Sequence, residues 1–325
     1  MKKLVLVSIF LTMVVIVLGA YTRLTDSGLG CPDWPGCYGH LTVPSKAEDI
    51  VKAESAFPER PVEKSKAWIE MIHRYFAGSL GLFILAITFL SLKNRKYGTP
   101  VKLPIFILGA VIFQGALGMW TVTMNLMPLI VMGHLLGGFT ILTLLFLLYL
   151  RIKEFRIPGG DPRVRPTAQF ASFGILILVG QIALGGWTSA NYAALACTEL
   201  PICEGNWYER LDFPGAFSVP EADDYEFGAH DYDDRMTMHI VHRIGAIVTF
   251  IYLCWLGIRL YANAMSDRIK NQSMTMIVLL GVQVALGVSN VVFSLPIAVA
   301  VLHNAVAALL LLSLVTLTYT LYRKA

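Results

Sequence analysis

The chain has 325 residues, of which 56% are hydrophobic and 15% charged, and this composition excludes an ordinary soluble globular protein. The net charge of +4 at pH 7 does not indicate a nucleic-acid-binding surface, because the basic residues follow a membrane topology. We therefore expect a protein in contact with membrane lipid and with no nucleic-acid partner.

Eight apolar stretches of about 20 residues are each long enough to cross the ~30 Å hydrocarbon layer as a helix. In chain order they lie near residues 4–22, 71–92, 103–124, 127–150, 169–190, 239–261, 274–294 and 296–321, and we number them spans 1 to 8. Tyr21-Thr22-Arg23 follows span 1 where a signal peptide would have a small-residue cleavage site, so we expect a retained helix. The predicted fold class is an all-α integral membrane protein.

Basic residues predict the orientation, because Lys and Arg near helix ends resist transfer across the bilayer. Those on the side of the N-terminus are Lys2, Lys3, Lys93, Arg95, Lys96, Lys102, Arg151, Lys153, Arg156, Arg163, Arg165, Arg259, Arg268, Lys270, Arg323 and Lys324. Both termini are thus expected in the cytoplasm of a bacterium. Two long loops, roughly 23–69 and 191–238, are expected on the periplasmic side of its inner membrane.

An internal repeat runs through most of the chain. Residues 68–74 align with residues 237–243 at an offset of 169 (242 − 73 = 169), and this offset also places His134 on His303. At an offset of 166, Leu18-Gly-Ala-Tyr-Thr22 falls on Leu184-Gly-Gly-Trp-Thr188. Such self-similarity indicates two copies of one structural unit.

Each repeat carries an even number of spans, so both copies enter the membrane in the same direction and form a parallel repeat. We expect two tandem, pseudo-symmetric four-helix bundles. The N-terminal bundle would cover residues 1–150 and the C-terminal bundle residues 169–325, with a cytoplasmic linker at 151–168.

Four histidines recur at matched positions near the outer ends of the even-numbered spans, namely His73, His134, His242 and His303. Ionisable side chains inside a bilayer usually face a bundle interior or a partner. Two imidazoles facing each other across a bundle form a bis-histidine haem-iron site, so the sequence predicts one such site in each half. For any one membrane histidine, an interhelical hydrogen bond is the alternative.

The two halves differ beside the first histidine. Glu70 lies one turn before His73, whereas His239 stands at the matching position in the second half. This predicts chemistry in the first half and a held cofactor in the second, unless Glu70 is a solvated acid in the first helical turn. Arg74 and Arg243 are candidate partners for haem propionates or, alternatively, for lipid headgroups.

Two cysteine pairs lie in the long loops, on the expected oxidising side. Cys31 and Cys37 form one pair, Cys197 and Cys203 the other, and each is predicted to close a small loop as a disulfide. The disulfides could fix a cap or exchange electrons with a thiol carrier. Cys254 is expected only to pack within span 6.

These motifs resemble the haem A synthase family. The resemblance rests on the segment from Gly19 to Cys37, on Glu70-x-x-His73-Arg74 and on the four histidines, and it covers all eight spans. Both cysteine pairs make the chain similar to a cysteine-bearing bacterial member. The family resemblance implies oxidation of the C8 methyl group of haem O to a formyl group by successive hydroxylations, for haem-copper terminal oxidases.

The resemblance also implies where the haems lie. Haem O would bind as substrate between His73 and His134, and a haem b cofactor between His242 and His303. Glu70 matches the acid that the family is thought to use near the substrate methyl, as proton acceptor or cation stabiliser. A haem O synthase and an electron acceptor are candidate partners, and homo-oligomers are left open.

Two other functions agree with the residues alone. One is a quinone-linked, di-haem b-type electron-transfer protein, which needs no Glu70, and the other is a haem carrier that loads and releases haem at both sites. The acidic stretch 221–234 has no functional account from the sequence and is expected to be solvated or to face a partner.

Overall fold

A computed structural model describes residues 1–153, 155, 157–158, 160–323 and 325. Glu154, Arg156, Gly159 and Lys324 lie outside the described residues, so the expected cytoplasmic positions of Arg156 and Lys324 do too. In the part that is described, the regular secondary structure consists of helices.

All eight predicted spans are confirmed as helices long and apolar enough to cross a membrane. They are α1 (Lys2–Leu24), α3 (Lys64–Lys93), α4 (Lys102–Thr123), α5 (Pro128–Ile152), α6 (Ala168–Ala190), α8 (Tyr232–Asn263), α9 (Asp267–Val292) and α10 (Ile297–Arg323). Two shorter helices lie in the long loops, α2 (Ala47–Ala56) and α7 (Phe213–Ala216). The predicted all-α membrane fold class is therefore confirmed.

Three helices begin well before their apolar stretches. The helices α3, α8 and α9 each start seven residues earlier than spans 2, 6 and 7 (71 − 64 = 7, 239 − 232 = 7 and 274 − 267 = 7). Their first turns are polar, so hydropathy does not reveal them. At α8 the Asp231 side chain caps the helix by accepting a hydrogen bond from the Asp234 backbone N–H at 3.0 Å.

The chain divides into two compact units. Unit 1 comprises Met1–Leu145 together with Val219–His230, and unit 2 comprises Phe146–Ser218 together with Asp231–Ala325. Residues 219–230, which we call the acidic segment, lie in the second long loop of the sequence but pack within unit 1. The repeat did not predict this grouping.

The first long loop packs onto the start of α3 in unit 1. Its disulfide cysteines and Tyr38 form a buried cluster with Ala67 and Met71 of α3. The Tyr38 hydroxyl donates a hydrogen bond to the Pro61 carbonyl at 3.0 Å, and burial raises the pKa of Tyr38 to about 12. The loop is thereby held on the helix that carries Glu70 and His73.

The acidic segment is held to unit 1 by apolar packing and by ion pairs. Tyr225 is buried with Leu29, Val122 and Leu126, and its backbone N–H donates to the Asn125 carbonyl at 3.1 Å. Arg60 forms ion pairs with two carboxylates of the segment. They belong to Asp224 and Glu226. Burial alone would lower the pKa of Arg60, but its hydrogen bonds to these carboxylates raise it above the usual value.

Unit 2 contains its own loop cluster. Cys197 is buried with Met236 and Ile240 near the start of α8. The indole of Trp187 at the end of α6 donates to the Ala216 carbonyl of α7 at 2.8 Å. At the far end of the helices, Asp161 accepts backbone hydrogen bonds from Met265 and Ser266 at 2.8 and 2.9 Å.

Candidate functional sites in the two units

Each of the four repeated histidines lies against a glycine of the membrane helix that precedes it in the chain. A Cβ built on these glycines would come within 2.9 to 3.2 Å of the imidazole Cε1, so any larger residue would displace the ring. The pairs are Gly19 with His73, Gly118 with His134, Gly185 with His242, and Gly287 with His303. Close approach is thus needed at all four positions.

Unit 1 brings His73 of α3 and His134 of α5 together. Their ring centroids are 6.4 Å apart and the ring planes are inclined at 75°. Metal–nitrogen bonds of about 2 Å on each side, plus the two ring radii, require centroids roughly 6 Å apart. The spacing therefore fits one metal ion between the two imidazoles.

In unit 2, His242 of α8 lies within electrostatic range of His303 of α10. Nδ1 of His303 is buried without a hydrogen-bond partner, as is Nδ1 of His73 in unit 1. A buried imidazole nitrogen without a partner is available to a ligand. The uncharged imidazole donors and the adjacent glycines in both units fit a haem iron with a flat macrocycle beside it.

Three glutamines, which the sequence analysis did not identify as site residues, contact these histidines. The Nε2 atoms of Gln114 and Gln181 lie 3.2 and 3.0 Å from Nδ1 of His134 and His242. Gln283 Nε2 lies 3.2 Å from Nε2 of His303. The repeat offset of 169 also places Gln114 on Gln283 (283 − 114 = 169), and this match was the available signal.

Glu70 is buried, with a relative exposure of 4%, and lies in the second turn of α3 because the helix begins at Lys64. The alternative of a solvated acid in the first turn is therefore wrong. One carboxylate oxygen accepts a hydrogen bond from the Cys31 backbone N–H at 2.9 Å, and the other pairs with Arg74 at 2.5 Å. Glu70 thus joins the first disulfide loop to the helix that carries His73.

In unit 2, His239 occupies the position of Glu70. It is buried, with 5% exposure, and its Nε2 accepts a hydrogen bond from Arg243 Nε at 3.2 Å. Its Nδ1 is buried without a partner. Unit 2 therefore has an imidazole where unit 1 has a carboxylate, as the sequence indicated.

Both cysteine pairs form disulfides, Cys31–Cys37 and Cys197–Cys203, with Cα atoms 4.8 and 5.0 Å apart. In each unit, the arginine that follows the first histidine binds the disulfide loop through backbone carbonyls. The acceptors of Arg74 are Asp33, Pro35 and Gly36, and those of Arg243 are Cys197, Glu199 and Ile202. In this structure the guanidinium groups are thus occupied by the loops.

Glu204 strengthens the second disulfide loop by accepting hydrogen bonds from the backbone and hydroxyl of Thr198. Slight burial would raise the pKa of Glu204, but these hydrogen bonds lower it overall. Cys254 is not in a disulfide and lies half-buried in α8.

A polar cavity of about 510 Å³ lies between α9 and α10. Its lining residues are Arg268, Asn271, Gln272, Thr275, Ser313 and Thr316. None of the predicted site residues lines it.

Comparison with known proteins gives a consistent picture. The family model described as COX15-CtaA, cytochrome oxidase assembly protein, matches residues 2–315. A Heme A synthase of Shewanella oneidensis is 54% identical over 320 residues, covering 98% of this chain and 96% of the relative.

More distant relatives match nearly the whole chain as well. A Heme A synthase of Chelativorans sp. is 27% identical, covering 91% of this chain and 84% of that protein. A Heme A synthase of Flavobacterium psychrophilum is 25% identical, covering 97% and 95%. The similarity therefore extends over both units.

Proposed function

The chain belongs to the COX15-CtaA family of cytochrome oxidase assembly proteins, and from this we propose that it is a haem A synthase of a bacterial inner membrane. Its substrate would be haem O, and the reaction would oxidise the C8 methyl group to a formyl group by successive hydroxylations. Each hydroxylation adds one oxygen atom and oxidises the carbon by two electrons. With water as the oxygen source, two protons are released and an electron acceptor is required as a partner. The enzyme would be an oxidoreductase acting on a methyl group.

The observation that carries this proposal is the difference between two otherwise matched sites. Both units present a histidine pair whose rings lie against glycines, but unit 1 alone adds a buried carboxylate, Glu70, one turn from the first histidine. Oxidation of a methyl group releases protons, and a carboxylate can accept one within hydrogen-bond reach. We therefore assign haem O to unit 1, between His73 and His134.

We assign the haem b cofactor to unit 2, between His242 and His303. Haem b would supply one-electron transfer there. The side chains of unit 2 would hold haem b without oxidising its methyl group, because His239 stands where unit 1 has the carboxylate of Glu70. Arg74 and Arg243 remain proposed propionate contacts, and their present carbonyl bonds keep the disulfide loops close to each histidine pair.

In unit 1 the first disulfide loop has a direct connection to the proposed reaction site. The Cys31 backbone N–H and the Arg74 guanidinium fix both oxygens of Glu70. This orients the carboxylate, and it makes the loop part of the site. The loops would face the periplasm, with both termini in the cytoplasm.

The test is to express the chain in a host that makes haem O but not haem A, and to identify the haems extracted from the purified protein by chromatography and mass. Haem A or its hydroxylated intermediate beside haem B is the expected result. A His73→Ala variant, expressed in parallel, controls for haem A made elsewhere. Haem B alone, in cells shown to contain haem O, would contradict the proposal.

The second candidate is a di-haem b-type electron-transfer protein. It is favoured by one observation, which is that both units contain a histidine pair with the same glycine contacts. In that case both sites would retain haem B through purification and Glu70→Ala would leave the absorption spectrum and electron transfer unchanged.

A further inference from the structure

We propose that Gln114, Gln181 and Gln283 are positioning residues for three of the four haem-ligating histidines, and that Val15 makes His73 the exchangeable ligand. The inference rests on the proposed haem sites. It adds that the first unit releases its haem at the His73 side, whereas both ligands in the second unit are held.

The three glutamines and Val15 share one register. Each stands four residues before the glycine that contacts a histidine (118 − 114 = 4, 185 − 181 = 4, 287 − 283 = 4 and 19 − 15 = 4). Residues four apart lie on the same helix face. Val15 therefore occupies in α1 the position that Gln181 occupies in α6, which is its equivalent in the repeat.

Two of the glutamines, Gln114 and Gln181, restrain their histidines through two contacts, and Gln283 makes one. Besides the ring nitrogens, Gln114 and Gln181 donate to the backbone carbonyls of His134 and His242 at 2.7 and 2.9 Å. The amide thus ties the imidazole to its own backbone, which restricts rotation of the ring. The Oε1 atoms of all three glutamines are buried without a hydrogen-bond partner.

A primary amide offers both donors and an acceptor, so it can serve a ring nitrogen in either tautomer. When one ring nitrogen binds iron, the other carries a hydrogen, and the unused Oε1 can accept it. Such a partner fixes the tautomer and raises the basicity of a metal-bound histidine, and its loss typically costs about 10–100-fold in metal affinity.

His73 has no such side-chain partner. Its ring hydrogen-bonds with the Val15 backbone, as His134 and His303 do with the backbone of Gln114 and Gln283. The apolar side chain of Val15 adds no second polar contact, so His73 has fewer restraints than a histidine that also meets a glutamine amide. A substrate site must bind haem O and release its product, so one weaker ligand permits exchange there, while the cofactor site gains from two restrained ligands.

The test exchanges the residues at the matched positions. Val15→Gln is expected to slow haem release from unit 1, and Gln181→Val to speed release from unit 2 by about 10–100-fold. Release is measured as transfer to excess apomyoglobin from the purified, haem-containing protein, and each haem type is followed separately by chromatography. Carbon monoxide binding to the reduced protein gives a second readout, and Val15→Gln should diminish it.

Two controls separate positioning from packing. Val15→Leu changes the side-chain volume without adding an amide, so haem release from unit 1 should be as fast as in the wild type. Gln114→Val removes an amide, so it should speed haem release from unit 1. Unchanged release in Val15→Gln and in both glutamine variants would overturn the inference, as would Val15→Leu acting like Val15→Gln. If Gln181→Val does not fold, Gln283→Val provides the same measurement at the other ligand of unit 2.

These rates do not depend on conversion of haem O. If no haem A forms but the release rates respond as expected, the proposed function fails and the positioning role stands. If haem A forms and the rates do not respond, only the positioning role fails.

Discussion

The two units anchor their disulfide loops with the same arginine but give that arginine different partners. Arg74 pairs with the carboxylate of Glu70, whereas Arg243 donates to the imidazole of His239. The shared contacts to loop carbonyls show that loop anchoring does not require the acid. We therefore propose a chemical role for the carboxylate of unit 1, beside its contact with the loop.

A second difference concerns the restraint of the histidines. In unit 2 both members of the pair contact a glutamine, whereas in unit 1 His134 does and His73 does not. The two copies of the repeat thus differ at two positions. Val15 of α1 and Glu70 of α3 stand where unit 2 has Gln181 and His239. On the proposed assignment, this difference would suit unit 1 to turnover and unit 2 to retention.

The largest effect is expected from removing ligands of one unit at a time. His73→Ala should abolish conversion and leave haem O to accumulate while haem b stays bound, and His242→Ala should instead remove haem b. Each variant should lose haem affinity in its own unit by more than the roughly 10–100-fold that is typical when a residue supporting a metal ligand is removed. Haem extraction and low-temperature spectra check both. Equal loss of both haems in each variant would remove the distinction between the units.

The next effect is expected from the residue one turn before the first histidine. Glu70→Gln should lower haem A formation by about 10²–10⁴-fold, because the amide cannot take up a proton. Its one acceptor oxygen can keep the hydrogen bond from Cys31 or from Arg74, but not both. His239→Gln is the matched control in unit 2 and should keep most of the activity. Haem b content should be unchanged in both variants. Full activity in Glu70→Gln would leave the carboxylate only a structural role.

A moderate effect on stability is expected from the two arginines. Arg74→Gln and Arg243→Gln should each reduce stability by about 1–3 kcal/mol, because carbonyls of the disulfide loops lose their donor. Thermal unfolding in detergent measures the change. Arg74→Gln should also lower activity by releasing one oxygen of Glu70, and by more than Arg243→Gln, whose effect would be confined to the proposed propionate contact in unit 2. Equal activities in the two variants would break this part of the comparison.

The smallest effect is expected at the acidic segment. Arg60→Gln should lower the free energy of unfolding by about 1 kcal/mol or less, because the Arg60 side chain is partly exposed, at 28%. This loss should be smaller at high salt, which screens the ion pairs. Hydrogen exchange should rise in residues 219–230. The second disulfide loop, residues 197–203, serves as an internal reference because Arg60 does not hold it. Equal increases in both segments would argue against specific anchoring.

Hydropathy predicted the eight helices because about 20 consecutive apolar residues leave few alternatives. It missed the first two turns of α3, α8 and α9, whose polar residues do not resemble a membrane span. The histidines were predicted because they are rare and repeat at one offset. The pairing of His73 with His134 followed from one further assumption, which was that their helices lie side by side.

The loop contacts could not be predicted. Arg74 binds carbonyls about 40 residues away in the chain, and such bonds depend on how a loop folds back rather than on residue type. Either a propionate or a headgroup would have suited the same arginine. Gln181 was overlooked because its repeat partner, Val15, carries no polar group, so the alignment did not mark the position.

The acidic segment has a consequence for the order in which the protein is made. Unit 1 takes in residues 219–230, which are separated from Leu145 by 73 residues (219 − 145 − 1 = 73). This part of unit 1 therefore leaves the ribosome only after α6 and the second disulfide loop. A nascent chain that ends at the repeat boundary would carry His73 and His134 but not the acidic segment. Unit 1 is thus completed late, when unit 2 is already under synthesis.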